Sequence, residues 1–130
     1  MGLEALSRGA VHATFVDNGR TALQALRNNL DTLQVAANYV TIKTLDAVRA
    51  ITERPTTPWH WVFIDPPYRT DLATQAALVL PAASLTADAT VMIEHDRRNE
   101  PTATLGVLTL ADQRRYGDTV VSYYRVQEVV

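Results

Sequence analysis

The sequence contains no cysteine. Disulfides, thiolate metal sites and cysteine nucleophiles are thereby excluded. Lysine is nearly absent as well: of the 12 cationic residues only Lys43 is a lysine, and the rest are arginines. Arginine offers a planar fork suited to phosphate and base edges, although genome composition alone also produces such a bias. The formal charge of −2 gives no global basic signature for nucleic acid. Only three histidines occur, His12, His60 and His95. They show no ligand spacing such as HExxH, so no metal site is expected. No apolar run is as long as a membrane span and no signal peptide opens the chain, which makes a cytoplasmic protein the expectation.

What is present reads as one α/β domain. The 130 residues are 47% apolar and 20% charged, ordinary for a globular chain able to bury a core. "MGLEALSRGA" reads as a short helix closed by Gly9. "VHATFVD" (Val11–Asp17) alternates and is β-branched, so it reads as a strand ending on Asp17. Gly19–Leu33 follows as a helix with Ala22, Leu23, Leu26 and Leu30 as its apolar stripe. Tyr39–Ala47 reads as a second strand and Ala47–Glu53 as a short helix. "WHWVFID" reads as a buried strand, Thr70–Leu80 as a helix, and Ala89–Asp96 as another buried strand. The tail from Thr104 reads as two long strands turning at Tyr116-Gly117-Asp118. Strands alternating with helices predict a mostly parallel sheet, with the closing hairpin as an antiparallel edge.

Ligands of open α/β sheets sit beyond the carboxyl ends of the strands. Asp17, Asp46 and Asp65 occupy or closely follow such ends. An acid after the second strand of a nucleotide-binding sheet commonly binds ribose hydroxyls, and one after the next strand can accept from an adenine amine. Each alone is as readily a helix cap or a turn. Asp65-Pro66-Pro67-Tyr68 is the sharper signal. Proline fixes φ and removes a donor, which holds the Asp65 carboxylate and the Pro66 carbonyl as outward acceptors. Two acceptors match the two protons of a planar amine, and Tyr68 offers a ring on which a base can stack. The bland alternative is a rigid loop with a buried tyrosine.

The four-residue stretch resembles the (D/N)PP(Y/F) motif of S-adenosylmethionine-dependent amino methyltransferases. "GLEALSRGA", "FVDNGR" and "RRYGDTVVSYY" are together similar to segments of the RsmD family, bacterial methyltransferases of guanine N2 in 16S ribosomal RNA. The resemblance runs over essentially the whole chain. It implies a Rossmann-like methyltransferase fold, with residues 1–130 a single, partial methyltransferase domain. It also implies roles: Asp17 on the cofactor ribose, Asn18 beside the adenine, and Asp46 with Ala47 at the adenine edge. Asp65 and Pro66 would hold the target amine, with Pro67 stiffening the loop and Tyr68 on the guanine. Arg69, Arg114 and Arg115 are candidates for phosphate contacts, or else solvated surface arginines. The implied partner is 16S rRNA or the small ribosomal subunit particle.

One departure stands out. In the family a strand and a loop of the form D-x-F-x-G-S-G precede "GLEALSRGA", and the sheet order is 3-2-1-4-5-7-6. That first strand, central between the strands ending at Asp17 and Asp65, is missing from the 130 residues. The chain is accordingly expected to be a fragment of, or a mis-called start for, an ordinary methyltransferase. The alternatives are an inactive remnant, or a gap filled by another chain or a rearranged sheet. Two other functions stay open: methylation of adenine N6 or cytosine N4 in DNA, which the same amine clamp would serve, and non-catalytic nucleic-acid binding.

Overall fold

The computed structural model describes residues 12–17, 19–44, 46–53, 55, 57–64, 72–96 and 103–126. These fall into two compact units, Met1–Ala50 and Ile51–Val130.

The first unit pairs β1 (Ala13–Val16) with β2 (Val40–Lys43) in parallel, from Ala13 opposite Val40 to Val16 opposite Lys43. The ladder runs one bond further, with Asp17 N–H donating to Lys43 O at 3.2 Å. At the other end His12 ties the strands together. Its Nδ1 donates to Asn38 O at 3.3 Å, which leaves Nε2 to accept from the Thr41 hydroxyl at 2.7 Å. Helix α1 (Arg20–Thr32) connects the two strands. It buries Leu23 and Leu30 from the stripe read in the sequence and half-buries Leu26, while Ala22 stays exposed. The helix ends in a paired closure: Val35 N–H donates to Leu30 O at 3.0 Å and Gln34 N–H to Asp31 O at 3.1 Å. This closure requires a left-handed residue, a place usually given to glycine and here taken by Gln34 at φ 56°.

The second strand is shorter than the sequence reading. It stops at Lys43, and Asp46 precedes helix α2 (Ala47–Thr52) instead of closing the strand. The carboxylate of an aspartate directly before a helix satisfies the helix's first N–H groups, and that local bond decides the boundary.

The second unit holds β3 (Trp59–Ile64), α3 (Leu72–Val79), β4 (Leu85–Asp96), β5 (Thr104–Leu105), β6 (Leu108–Tyr116) and β7 (Thr119–Val126). The five strands are ordered β3-β4-β7-β6-β5. β3 and β4 are parallel, and the remaining pairs are antiparallel. Leaving the first strand out of the family order 3-2-1-4-5-7-6 gives 3-2 and 4-5-7-6; β1-β2 corresponds to the family's 2-3 pair and β3-β4-β7-β6 to its 4-5-7-6 run, with the short β5 added beyond β6. β4 starts four residues before the expected Ala89, at Leu85, which is buried and pairs with Trp59.

Residues opposite one another on neighbouring strands share a face. Val91 with Tyr124, and Ile93 with Ser122, therefore mark one face, on which Ala77, Leu80, Leu105 and Leu108 complete a buried core. Tyr124, Val91 and Leu108 are each 0% exposed. Phe63, Met92 and Tyr123, joined in register, lie on the opposite face. Among the described residues no helix is long and apolar enough to cross a membrane.

Candidate functional site

Two of the carboxylates singled out in the sequence belong to the first unit, at the carboxyl end of its parallel pair. Asp17 directly follows β1. Its Oδ1 accepts from Gly19 N–H at 2.7 Å, a tight turn that aims the side chain back over the start of α1. The turn is close: a Cβ at position 19 would stand 3.1 Å from that oxygen, so the carboxylate would have to shift by a few tenths of an ångström to admit it. Asp46 follows β2 after a short link. Its Oδ1 accepts from Val48 N–H at 2.9 Å and from Arg49 N–H at 3.4 Å. Ala47 opens α2.

Both acids thus do the bland work of a turn or a cap, and each does it with Oδ1 alone. Among the described residues neither Oδ2 accepts a hydrogen bond, and both side chains are exposed. Two anchored carboxylates, each with a second oxygen that accepts nothing from the described residues, thus follow the carboxyl ends of two parallel strands, Asp17 directly and Asp46 three residues beyond Lys43. Such a pair can receive hydroxyl or amine protons from a polar ligand.

Asn18, Asp65, Pro66, Pro67, Tyr68 and Arg69 lie outside the described residues. What is described is their approach: β3 runs parallel to β4, with Ile64 opposite Ile93, and ends on the residue before Asp65.

The two remaining arginines are consecutive on β6, so they project to opposite faces of the sheet. Arg114 is opposite Val121; its guanidinium lies 5.6 Å from the Tyr123 ring centre, and its Nε is 3.7 Å from Asp112 Oδ2. Arg115 is opposite Val120, on the face that carries the core. One straight phosphate track along a single face would meet one of them, not both.

A polar cluster near the end of β4 escaped the sequence reading. His95 Nδ1 donates to Asp96 O at 2.9 Å, so Nε2 accepts from the Ser122 hydroxyl at 2.7 Å. Ser122 Oγ in turn accepts from the Gln113 amide at 3.0 Å. The pair has the connectivity of a histidine-activated serine. Ser122 is nevertheless 0% exposed, so no substrate reaches it, and the cluster serves to satisfy buried polar atoms. Its members lie on three strands and come together only through the antiparallel register. Among the described residues no group of three or more potential metal-ligating side chains is found.

Residues 1–125 match the family described as Conserved hypothetical protein 95. The chain belongs to that family. It is 34% identical over 128 residues to YlbH of Bacillus subtilis, covering 96% of this chain and 69% of that protein. Over 127 residues it is 32% identical to the Ribosomal RNA small subunit methyltransferase D of Haemophilus influenzae, covering 95% of this chain and 63% of that one. The family is thus the one whose motifs the sequence resembled. Its fold is shared with the crystal structure of HI0767 from Haemophilus influenzae, at a TM-score of 0.82 and 28% identity, covering 98% of this chain and 80% of that chain. The ribosomal protein L11 methylase of Lactobacillus delbrueckii has the same fold at 10% identity, with a TM-score of 0.72 over 95% of this chain and 62% of that one. The architecture is that of a Rossmann-like methyltransferase.

Proposed function

We propose that this chain carries the catalytic half of an S-adenosylmethionine-dependent methyltransferase acting on the exocyclic N2 amine of a guanine in 16S rRNA. The observation that carries the reading is the approach of β3. This parallel strand ends at Ile64, and Asp65-Pro66-Pro67-Tyr68 is the next stretch of the sequence, in a family whose members include rRNA methyltransferases.

The acceptors at the first unit's strand ends suit the nucleoside part of the cofactor. Carboxylates accept and cannot donate, so the spare oxygen of Asp17 suits a ribose hydroxyl and that of Asp46 an adenine amine. Asn18 and Ala47 would flank the adenine. When bound, S-adenosylmethionine supplies a methyl group already activated on a sulfonium, so the protein's task is positioning more than acid–base chemistry. Asp65 and the Pro66 carbonyl would take the two amine protons and leave the nitrogen lone pair directed at the methyl group. Tyr68 would stack on the guanine and keep the amine in that plane. Loss of a proton after attack returns the amine to neutrality. Arg69 and one of Arg114 and Arg115 would meet backbone phosphates of 16S rRNA, free or in the small-subunit particle, in the cytoplasm.

The test is methyl transfer from labelled cofactor to small-subunit RNA, to the assembled particle and to DNA, with the labelled nucleoside identified after digestion. N2-methylguanosine is the expected product. N6-methyladenine or N4-methylcytosine from DNA would transfer the same clamp to a different substrate, and no labelled product with any of the three would end the reading. Asp65→Ala is expected to abolish transfer while cofactor binding is retained.

A further inference from the structure

Strand β4 runs further than the strand beside it. β3 and β4 pair in register up to Ile64 opposite Ile93, where β3 ends. β4 continues through Glu94, His95 and Asp96, held to β7 by Glu94 opposite Val121, His95 opposite Val120 and Asp96 opposite Thr119. On the face that carries the core, the His95 imidazole ties this extension down through Asp96 O and the Ser122 hydroxyl. A well-supported stretch of strand therefore flanks the point at which the chain enters Asp65-Pro66-Pro67-Tyr68. Partners in a ladder lie about 4.8 Å apart, and successive Cα atoms about 3.8 Å. The Cα atoms of Asp65 and Glu94 are thus within about 12 Å of each other, whatever course the chain takes after Ile64.

Glu94 is the free acid of this extension. It lies on the face of Phe63, Met92 and Tyr123, is exposed, and among the described residues makes no hydrogen bond or ion pair. The charges around it are otherwise engaged. Across the sheet its row continues through Val121 to Arg114, which lies over the Tyr123 ring and beside Asp112. Asp96 shares the face but is 8% exposed and has a partner of its own. A surface glutamate needs no partner in water. What singles this one out is its address, fixed by the ladder beside the proposed amine clamp.

We infer that Glu94 selects guanine by accepting the N1–H of the target base. The inference rests on the amine clamp proposed above and names what that clamp lacks. Asp65 and the Pro66 carbonyl grip an exocyclic amine, which guanine, adenine and cytosine all carry, so the clamp alone does not choose among them. The ring nitrogen next to the amine does differ. In guanine N1 bears a proton, whereas N1 of adenine and N3 of cytosine are lone-pair acceptors. A carboxylate accepts and cannot donate. Facing guanine, Glu94 makes a charge-assisted hydrogen bond and completes a set of acceptors for every proton on that edge. Facing adenine or cytosine, it sets an anion against a lone pair, and the unpaired charge rejects the base. Enzymes that act on an extruded base read this same edge.

Short single-stranded RNAs, each a run of uridines with one central purine, are titrated into the 130-residue chain and followed by fluorescence anisotropy. The purine is guanine; hypoxanthine, which keeps N1–H and lacks the amine; or 2-aminopurine, which keeps the amine and has no N1–H. The guanine-to-hypoxanthine ratio reads the clamp and the guanine-to-2-aminopurine ratio reads Glu94, so the two readings fail separately. Guanine is expected to bind about ten- to a hundredfold more tightly than 2-aminopurine. Glu94→Ala should erase that preference and keep the one over hypoxanthine, with the thermal transition unchanged because the side chain is exposed. Glu94→Gln should bind 2-aminopurine more tightly than Glu94→Ala does, since its amide can turn an N–H toward an acceptor nitrogen. Asp65→Ala should do the converse and erase only the preference over hypoxanthine. A chain that separates guanine from hypoxanthine but not from 2-aminopurine would keep the clamp and overturn the role of Glu94. A chain that binds none of the RNAs, or a preference over 2-aminopurine that survives Glu94→Ala, would overturn it too.

Discussion

The two units are held together differently. The five-stranded unit encloses an apolar core around Tyr124, Val91, Ile93 and Leu108, contributed by four strands and the helix that packs on them. The two-stranded unit buries Leu23, Leu30 and Ala50 and relies on short-range bonds: Asp17 to Gly19, Asp46 to α2, and the closure of α1 at Gln34. Its two candidate ligand-binding carboxylates are therefore set by the local chain, each by a partner two residues away. The amine clamp, in contrast, is expected at the end of a strand whose position depends on the whole larger core. The lesson is one of labour: a small unit can fix the direction of a carboxylate, and a large one is needed to fix a platform.

Core truncations should separate the units most clearly. Leu108→Ala removes a side chain with 0% exposure from the larger core and is expected to cost about 2–5 kcal/mol in urea unfolding. Leu30→Ala, at 8% exposure in the smaller unit, should fall at or below the low end of that range. Equal losses would show that one core serves both units.

Next come the two left-handed glycines of the larger unit. Gly106, at φ +58°, would bring a Cβ within 3.1 Å of the Leu78 carbonyl, whereas Gly117, at φ +64°, has nothing within 4 Å. Gly117→Ala should cost only the left-handed penalty of about 1–2 kcal/mol, and Gly106→Ala measurably more, because a backbone oxygen must move as well. Matching losses in thermal unfolding would mean that α3 yields freely to the turn.

A smaller effect tests whether Asp46 has a task beyond its cap. Asp46→Ala should destabilise by about 1 kcal/mol. Asp46→Asn keeps an oxygen for the cap but gives up charge, so it should hold its stability and weaken cofactor binding. Unchanged binding in a calorimetric titration would reduce Asp46 to a capping residue.

The last effect vanishes at neutral pH. Burial pushes the Tyr124 phenol up to about 12. The unfolded phenol titrates near 10, so between these values the unfolded chain has lost a proton that the folded chain retains. Stability from this group is complete below about pH 10 and declines as pH rises toward 12. The decline should flatten in Tyr124→Phe, as read by chemical unfolding across that interval.

Long or strongly patterned elements were legible in the sequence: α1, β3 and the β6–β7 hairpin stand close to where periodicity and turn chemistry put them. The misreadings have identifiable causes. "YVTIKTLDA" alternates well enough to suggest a strand reaching Asp46, yet the cap bond to Val48 captures the aspartate for the helix. "LTAD" has weak strand character of its own and joins β4 because Leu85 is buried and paired with Trp59. β5, with 2 residues, is too short to have a period and exists because Gly106 turns the chain. At the site, strand ends could be read from the order of residues. The cluster of His95, Ser122 and Gln113 could not, since its members are neighbours only across a register that no local pattern encodes.

The hairpin tip at Gly117 has a practical use. With open space around it and the exposed Tyr116 beside it, this bend can receive grafted residues without breaking either ladder that leads to it. A short epitope or a dye-bearing loop installed there would give a reporter on the intact sheet. The molecule could then be immobilised or followed by fluorescence while its carboxylates remain available to whatever they bind.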